Sequence, residues 1–212
     1  RYEYGKHFSW LGRPIIQFPH DIIGFQEIIW KIKPDLIIET GVARGGSLIF
    51  LASILELIGK GNVLGIEIKL RHHNETAIKK HPMYKRIKIL KGSSTDPKNL
   101  EKVKKIDKNN KKILVILDSD HTKKHVLEEL NLYSQFVSKN SYIIVCDTII
   151  QDFPKNWFSN NGIDRPWNKL NNPKTAVWEF LKQNDRFKID KFIENKLLVT
   201  TSPDGFLKCI KD

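Results

Sequence analysis

Short apolar runs alternate with amphipathic stretches along most of the chain. Residues 36–38, 63–68, 87–90, Ile113–Leu117 and Tyr142–Val145 are brief and mostly apolar, several of them rich in β-branched side chains. That is the pattern of strands buried on both faces of a parallel sheet. Between them, apolar positions recur at spacings of three and four: Ile22, Phe25, Ile28, Ile29 and Ile32; Leu48, Leu51, Ala52, Leu55 and Ile58; Val126, Leu127, Leu130 and Tyr133. This spacing predicts helices. Asp21 is expected to cap the first, Pro34 to close it and Gly59 to stop the second. Strands alternating with helices predict an α/β fold with an open sheet. Toward the C-terminus, Asn172-Pro173 should start a helix with Ala176, Val177, Phe180 and Leu181 facing inward. Residues 187–193 and 196–201 then read as a final strand pair, with 206–210 as a short third.

Two stretches break the alternation. Residues 1–19 are aromatic-rich (Tyr2, Tyr4, Phe8, Trp10) and carry Pro14 and Pro19, so no long helix forms there. They are expected to be an irregular arm that packs over the sheet or rims a site. Residues 151–172 are polar and studded with Trp157, Phe158 and Trp167, too long for a simple connection, and read as a lid-like insertion. Residues 98–111 read as a lysine-rich helix and loop. With no repeat and no linker, 1–212 is expected to be a single domain. It begins with Arg1 rather than Met and reads as trimmed at its N-terminus.

The chemistry concentrates where the first strand ends. Leu36-Ile37-Ile38 runs into Glu39-Thr40-Gly41-Val42-Ala43-Arg44-Gly45-Gly46-Ser47, directly before a helix. Strand, glycine-rich turn and helix N-terminus form the nucleotide-binding corner of an open α/β sheet. A dinucleotide corner carries G-x-G-x-x-G and faces a pyrophosphate. Here the glycines read G-x-x-x-G-G behind an acid, which suits a ligand with an amino group and a sulfonium: S-adenosylmethionine. Glu67, at the second strand tip, lies about twenty residues beyond the turn, where an acid hydrogen-bonds ribose hydroxyls. Ser93 and Ser94, at the third tip, can meet an adenine edge, while Asp96 there can cap the next helix. Asp118 and Asp147 end the fourth and fifth strands. Two carboxylates from neighbouring strands can share a hard divalent ion. His121 can take a proton from a substrate hydroxyl or can serve in capping and packing. His72-His73 lacks a second ligand pair at zinc spacing and reads as a helix entry.

Charge adds little to this picture. The formal net charge is +12, but the lysines occur in short scattered runs typical of solvated faces, so nucleic acid is not the expected partner. An acidic or phosphorylated substrate stays open. Cys146 and Cys209 make no C-x-x-C pair and no disulfide framework, which favours the cytoplasm, and no signal peptide or membrane span is visible.

The chain resembles the cephalosporin hydroxylase family, whose members are S-adenosylmethionine-dependent O-methyltransferases. It is also similar to sugar O-methyltransferases of macrolide biosynthesis and to rhamnosyl O-methyltransferases of glycolipids. The resemblance rests on Trp10-Leu-Gly-Arg-Pro-Ile-Ile-Gln17, on Glu39 through Ser47, and on Gly65-Ile-Glu-Ile68. Arg71-His-His-Asn74, Gly92-Ser-Ser94, Leu117-Asp-Ser-Asp-His121, Asn171-Asn-Pro-Lys-Thr-Ala176 and Glu194-Asn-Lys-Leu197 extend it. It implies a Rossmann-like class I methyltransferase sheet, mostly parallel with a C-terminal antiparallel hairpin and helices on both faces. The donor would lie on Glu39, Thr40, Gly41, Arg44, Gly45, Gly46, Ser47 and Glu67, with Ser93 and Ser94 beside it. His121 would be the base, Asp118 would assist, and the acceptor would be a hydroxyl of a sugar, glycolipid or other small molecule. A homo-oligomer is expected. In the family, Mg2+ is held by the acid matching Asp118 and by a Glu-Asp pair after the fifth strand. This sequence reads Cys146-Asp147 there, and a thiol is a poor ligand for a hard ion. A weak or absent magnesium site on Asp118 and Asp147 is therefore expected. The alternative is a nucleoside-binding subunit that has lost its metal and its activity. An iron oxygenase would need two histidines and a carboxylate on an open face, and the spacing offers no such set.

Overall fold

The computed structural model describes residues 4–107 and 112–212. Tyr2 of the expected arm and residues 108–111 of the lysine-rich stretch lie outside them.

The five apolar runs form β3 (Leu36–Thr40), β4 (Asn62–Glu67), β5 (Ile87–Lys91), β6 (Ile113–Leu117) and β7 (Tyr142–Val145). They pair in parallel in the order β5-β4-β3-β6-β7. β9 (Phe206–Cys209) joins β7 antiparallel, and β8 (Phe187–Ile189) closes that edge against β9. On one face pack α1 (Pro19–Ile32) and α2 (Gly46–Ile58), whose apolar stripes meet Ile37, Val63, Leu114 and Ile144. On the other, Ile38, Leu64, Val115 and Ile143 lie under α4 (Pro97–Asp107), α5 (Lys123–Tyr133) and α7 (Pro173–Gln183). The alternation of side chains along each strand sorts the residues between these two layers. α3 (His72–Lys79) follows β4, and its start at His72 fits the expected helix entry. Among the described residues no helix is long and apolar enough to cross a membrane.

Three expectations change. The arm is not irregular. β1 (Phe8–Trp10) and β2 (Arg13–Ile15) form an antiparallel hairpin, turned by Leu11 and Gly12 at φ 45° and 81°. Two central positive-φ residues give the twist that a tight hairpin needs. Trp10 then packs edge-on against Phe50, and its Nε1 donates to Ser53 Oγ at 3.0 Å.

Asp21 does not cap α1, which begins at Pro19 with no side-chain cap. It is fully buried and accepts from Thr201 N at 2.9 Å, from Thr201 Oγ1 at 2.8 Å and from Thr200 Oγ1.

Residues 196–201 are not a strand. α8 (Lys191–Leu197) occupies the place, capped by Asp190, which accepts from Phe192 N at 3.1 Å. Leu197 packs against Gly24 of α1, while Leu198 and Val199 face outward. The reversed strand of the C-terminal pair is β9 instead.

The insertion has short structure of its own. The end of a 3-10 turn at Thr148–Asp152 leads into it, and it holds α6 (Trp157–Asn160) and a tight turn bridging Asn168 and Asn171. Phe153 and Trp157 stack at 4.3 Å, with Phe158 edge-on to both.

Candidate active site

At the tip of β3 the chain turns through Gly41 at φ 86°. A Cβ there would stand 2.0 Å from Asp118 O. One on Gly46, the first residue of α2, would stand 2.2 Å from Pro14 O. Neighbouring backbone thus excludes any side chain from both positions. Gly45, at φ 82°, fills the N-cap.

Both sides of this turn are held. Glu67 Oε2 accepts from Val42 N at 2.8 Å and Ala43 N at 3.0 Å, and its Oε1 accepts from Lys69 N at 3.0 Å. On the carbonyl side, Arg13 of the hairpin donates to Arg44 O and, at 3.2 Å, to Asn74 Oδ1. Asn74 Nδ2 donates to Ala43 O at 3.2 Å.

Beside the turn opens a cavity of about 460 Å3, within the range of small-molecule sites. Gly41, Ala43, Glu67, Ser93, Ser94, Asp118, Ser119 and His125 line it, and Arg165 and Trp167 of the insertion close one wall. A smaller recess of about 30 Å3 lies between Gln17, Gly41, Arg44, Gly45, Gly46, Ser47 and Asp118. Glu39 is buried near it and accepts from Ser47 Oγ at 3.1 Å. Burial pushes the Glu39 carboxyl up to about 8, against the opposing pull of that hydrogen bond.

The fourth and fifth strand tips bring acids together. Asp118, His121 and Asp147 each offer a ligating atom within 4.8 Å of the others. His121 Nε2 lies 3.1 Å from Asp147 Oδ2, and its ring meets Trp167 edge to face at 5.0 Å. Asp118 accepts from Gln17 Nε2 at 2.9 Å. Dense packing raises the Asp118 pKa well above the usual carboxylate range, and Asp147, Glu39 and Glu129 add to the rise. Two carboxylates this close repel, so the site favours a cation between them. Their oxygens fit a hard divalent ion that keeps several waters. The Cys146 thiol lies in the core layer with Ile144 and Phe206, and burial drives its pKa upward. A neutral buried thiol adds nothing to such a site.

The structure thus gathers Gly41, Glu67, Ser93, Ser94 and Asp118 on one cavity, and Arg44, Gly45, Gly46, Ser47 and Asp118 on the adjoining recess. Glu39 lies just under the surface. Thr40 lines neither: one residue after Glu39 on a strand, it points to the opposite layer and is fully buried. His121 sits in the loop before α5 and reaches Asp147 from there. Sequence reasoning missed Gln17 as the Asp118 partner, Arg165 and Trp167 as cavity wall, and the buried Glu129 with His125. For that last pair a signal existed, because His and Glu four apart share a helix face.

A profile of the rhamnosyl O-methyltransferase/CmcI family matches residues 2–210. Rhamnosyl O-methyltransferases of Mycobacterium bovis (strain BCG / Pasteur) and Mycobacterium tuberculosis (strain H37Rv) are 32% identical over 189 residues, covering 88% of this chain and 72% of theirs. That of Mycobacterium leprae is 30% identical over 148 residues, 69% of this chain and 62% of its own. Among solved structures, a CmcI apo-structure superposes with a TM-score of 0.67 at 17% identity, covering 98% of this chain and 78% of that one. MycE methyltransferase of the mycinamycin biosynthetic pathway, in complex with Mg and SAH, gives 0.53 at 18% identity, covering 89% and 45%. The fold is that of class I methyltransferases, and nothing among these relatives favours a non-catalytic subunit. On the family profile and the mycobacterial relatives together, the chain belongs to the rhamnosyl O-methyltransferase/CmcI family.

Proposed function

We propose that the protein moves the methyl group of S-adenosylmethionine to a hydroxyl of a sugar or other glycosylated small molecule, with the residues gathered at the strand tips as its machinery. The observation that carries the assignment of roles is the convergence of Asp118, His121 and Asp147 beside the cavity built on Glu67 and the glycine turn. The mycobacterial relatives are named for a rhamnosyl acceptor, which supports a deoxy sugar here. CmcI has been solved with Mg and SAM, and MycE with Mg and SAH, which supports the same donor and metal in this chain.

In this reading Gly41, Arg44, Gly45, Gly46 and Ser47 form the wall around the methionine part of the donor, with Glu39 under its amino group. Glu67 takes the ribose, and Ser93 and Ser94 border the adenine. Asp147 Oδ2, 3.1 Å from His121 Nε2, would accept its proton and so leave Nδ1 as the base. As the acceptor oxygen bonds to the methyl carbon, the carbon–sulfur bond breaks and the hydroxyl proton passes to Nδ1. A divalent ion on Asp118 and Asp147 would supply Lewis-acid polarisation of the acceptor oxygen. Much of the rate comes from alignment, since attack needs oxygen and carbon about 3–3.5 Å apart in line with the leaving sulfur. The insertion at 151–172 acts as the lid over the acceptor. We further read the protein as cytoplasmic, on its two free buried cysteines, and as a homo-oligomer, on the exposed Ile23, Phe192, Leu198 and Val199.

The test is turnover with labelled donor and a panel of rhamnosides. The expected result is one methyl ether formed per S-adenosylhomocysteine released, with His121→Ala slower by about 10²–10⁴-fold. Tighter binding of NAD than of the methyl donor would overturn the assignment.

A further inference from the structure

Next to the donor cavity lies a buried pair that the transfer chemistry leaves unused. Glu129, on the inner face of α5, is fully buried. Its Oε1 accepts from Ser119 Oγ at 2.8 Å and lies 3.4 Å from His125 Nε2, one helical turn earlier. Its Oε2 has no hydrogen-bond partner among the described residues. An ionisable group in so dry a place needs a reason, because an unpaired buried carboxylate is costly.

His125 supplies one. Its ring lines the 460 Å3 cavity, and its Nε2 also lies 3.2 Å from Ser94 Oγ. Ser94 is held in turn, since its carbonyl accepts from Tyr133 Oη at 2.7 Å. The imidazole is therefore fixed from one edge by two groups, while its Nδ1 makes no hydrogen bond among the described residues. An anchored ring at a cavity wall, with one nitrogen still unengaged, can give a hydrogen bond to a ligand in the cavity.

We infer that His125, held by Glu129, is a specificity-determining residue that reads the nucleobase of the donor by giving an Nδ1–H hydrogen bond to one of its ring nitrogens. This rests on the donor site proposed above, in which Ser93 and Ser94 mark the base end. Adenine presents lone pairs at three six- and five-ring nitrogens, and a fixed donor can meet one of them. The charges around His125 fit a donating ring. Glu129 raises its pKa most, Asp120 and Glu128 add to the rise, and only burial opposes them. Glu129 then acts as a positioning residue, orienting the ring and keeping both nitrogens protonated.

The test is calorimetric binding of S-adenosylhomocysteine and its 1-deaza, 3-deaza and 7-deaza analogues, each of which replaces one ring nitrogen by C–H. For the wild type, one analogue should bind at least tenfold more weakly than the parent, about 1.4 kcal/mol, while at least one other binds nearly as well. His125→Phe should weaken the parent by a similar factor and abolish the difference. Glu129→Gln, which keeps the shape and the Ser119 contact, should narrow it. Thermal melting checks that each variant folds. Should His125→Phe fail to fold, His125→Leu, which also removes the donor, should likewise abolish the difference. Equal binding of all four ligands by the wild type overturns the inference, as does a deaza penalty that persists unchanged in His125→Phe. Failure of the wild type to bind S-adenosylhomocysteine at all removes the donor site itself, a different outcome from either.

Discussion

The donor corner and the 151–172 insertion both border the same cavity, yet they are built on opposite plans. The corner is made of backbone. Two glycines stand where neighbouring carbonyls leave no room for a side chain, and Arg13, Glu67 and Asn74 secure the amides and carbonyls of the turn between them. The insertion is made of side chains. Phe153, Trp157 and Phe158 pack on one another, and Asn171 and Asn172 tie its end to α5 and to Gln151. Much of its length is exposed, around a cavity of about 450 Å3 of its own. A constant ligand can be met by a fixed frame, whereas a variable one needs positions that tolerate substitution. The donor is shared chemistry and the acceptor is particular, and in the proposed function the two halves of the site would divide along that line.

Substitution at the frame should therefore have the largest effect. Gly41→Ala combines a positive φ with a collision against backbone, and should cost about 2–4 kcal/mol of stability. Urea unfolding would measure it, and a loss under 1 kcal/mol would mean that the corner is more yielding than the insertion after all. Trp157→Ala in the insertion should cost less and leave donor affinity unchanged. Limited proteolysis should cut the wild type first between 151 and 172, and donor plus acceptor should slow that cutting if the segment closes as a lid.

The buried acid of the corner sets a pH dependence. Because the Glu39 carboxyl is raised to about 8 in the folded state, the native protein holds a proton that the unfolded chain has released. Its contribution is fully present below the ordinary carboxylate range and is lost as the pH rises toward about 8. The slope is at most about 1.4 kcal/mol per pH unit. Glu39→Gln should flatten this limb in a series of melts at different pH.

The smallest change expected is at the metal. Cys146→Glu should tighten magnesium about tenfold, or 1.4 kcal/mol, while destabilising the metal-free protein by adding a carboxyl near Asp21, Glu39, Asp118 and Asp147. Titration of both proteins would show it. Equal affinity would assign Cys146 to packing alone.

The same division explains what could be read from the sequence. Backbone constraints are written locally: the glycines at 41, 45 and 46, the acids at four of the five parallel strand tips and the helix stop at Gly59 all stand beside the features they create. Asp21 looked like a cap because the residues that satisfy it, Thr200 and Thr201, come from the far end of the chain. The run Leu197-Leu198-Val199 looked like a strand because its composition is that of one. In the fold Leu197 packs on the core against Gly24, while Leu198 and Val199 stay exposed. His121 was legible as chemistry, but its pairing with Asp147 depended on two strand tips meeting. Gln17 carried no signal of its own.

A carboxylate offers about four lone-pair positions, and at Glu67 three are already taken by the amides of Val42, Ala43 and Lys69. A ribose diol brings two donors to the one position left. If the nucleoside seats there as proposed, the diol would compete with these amides for the carboxylate, and the turn would trade a partner in each catalytic cycle. Deuterium uptake at Val42 or Ala43 would rise, not fall, when the donor arrives. In that exchange the release of product would be a re-zipping of the loop, and the carboxylate would work less as an anchor than as a latch shared between protein and ligand.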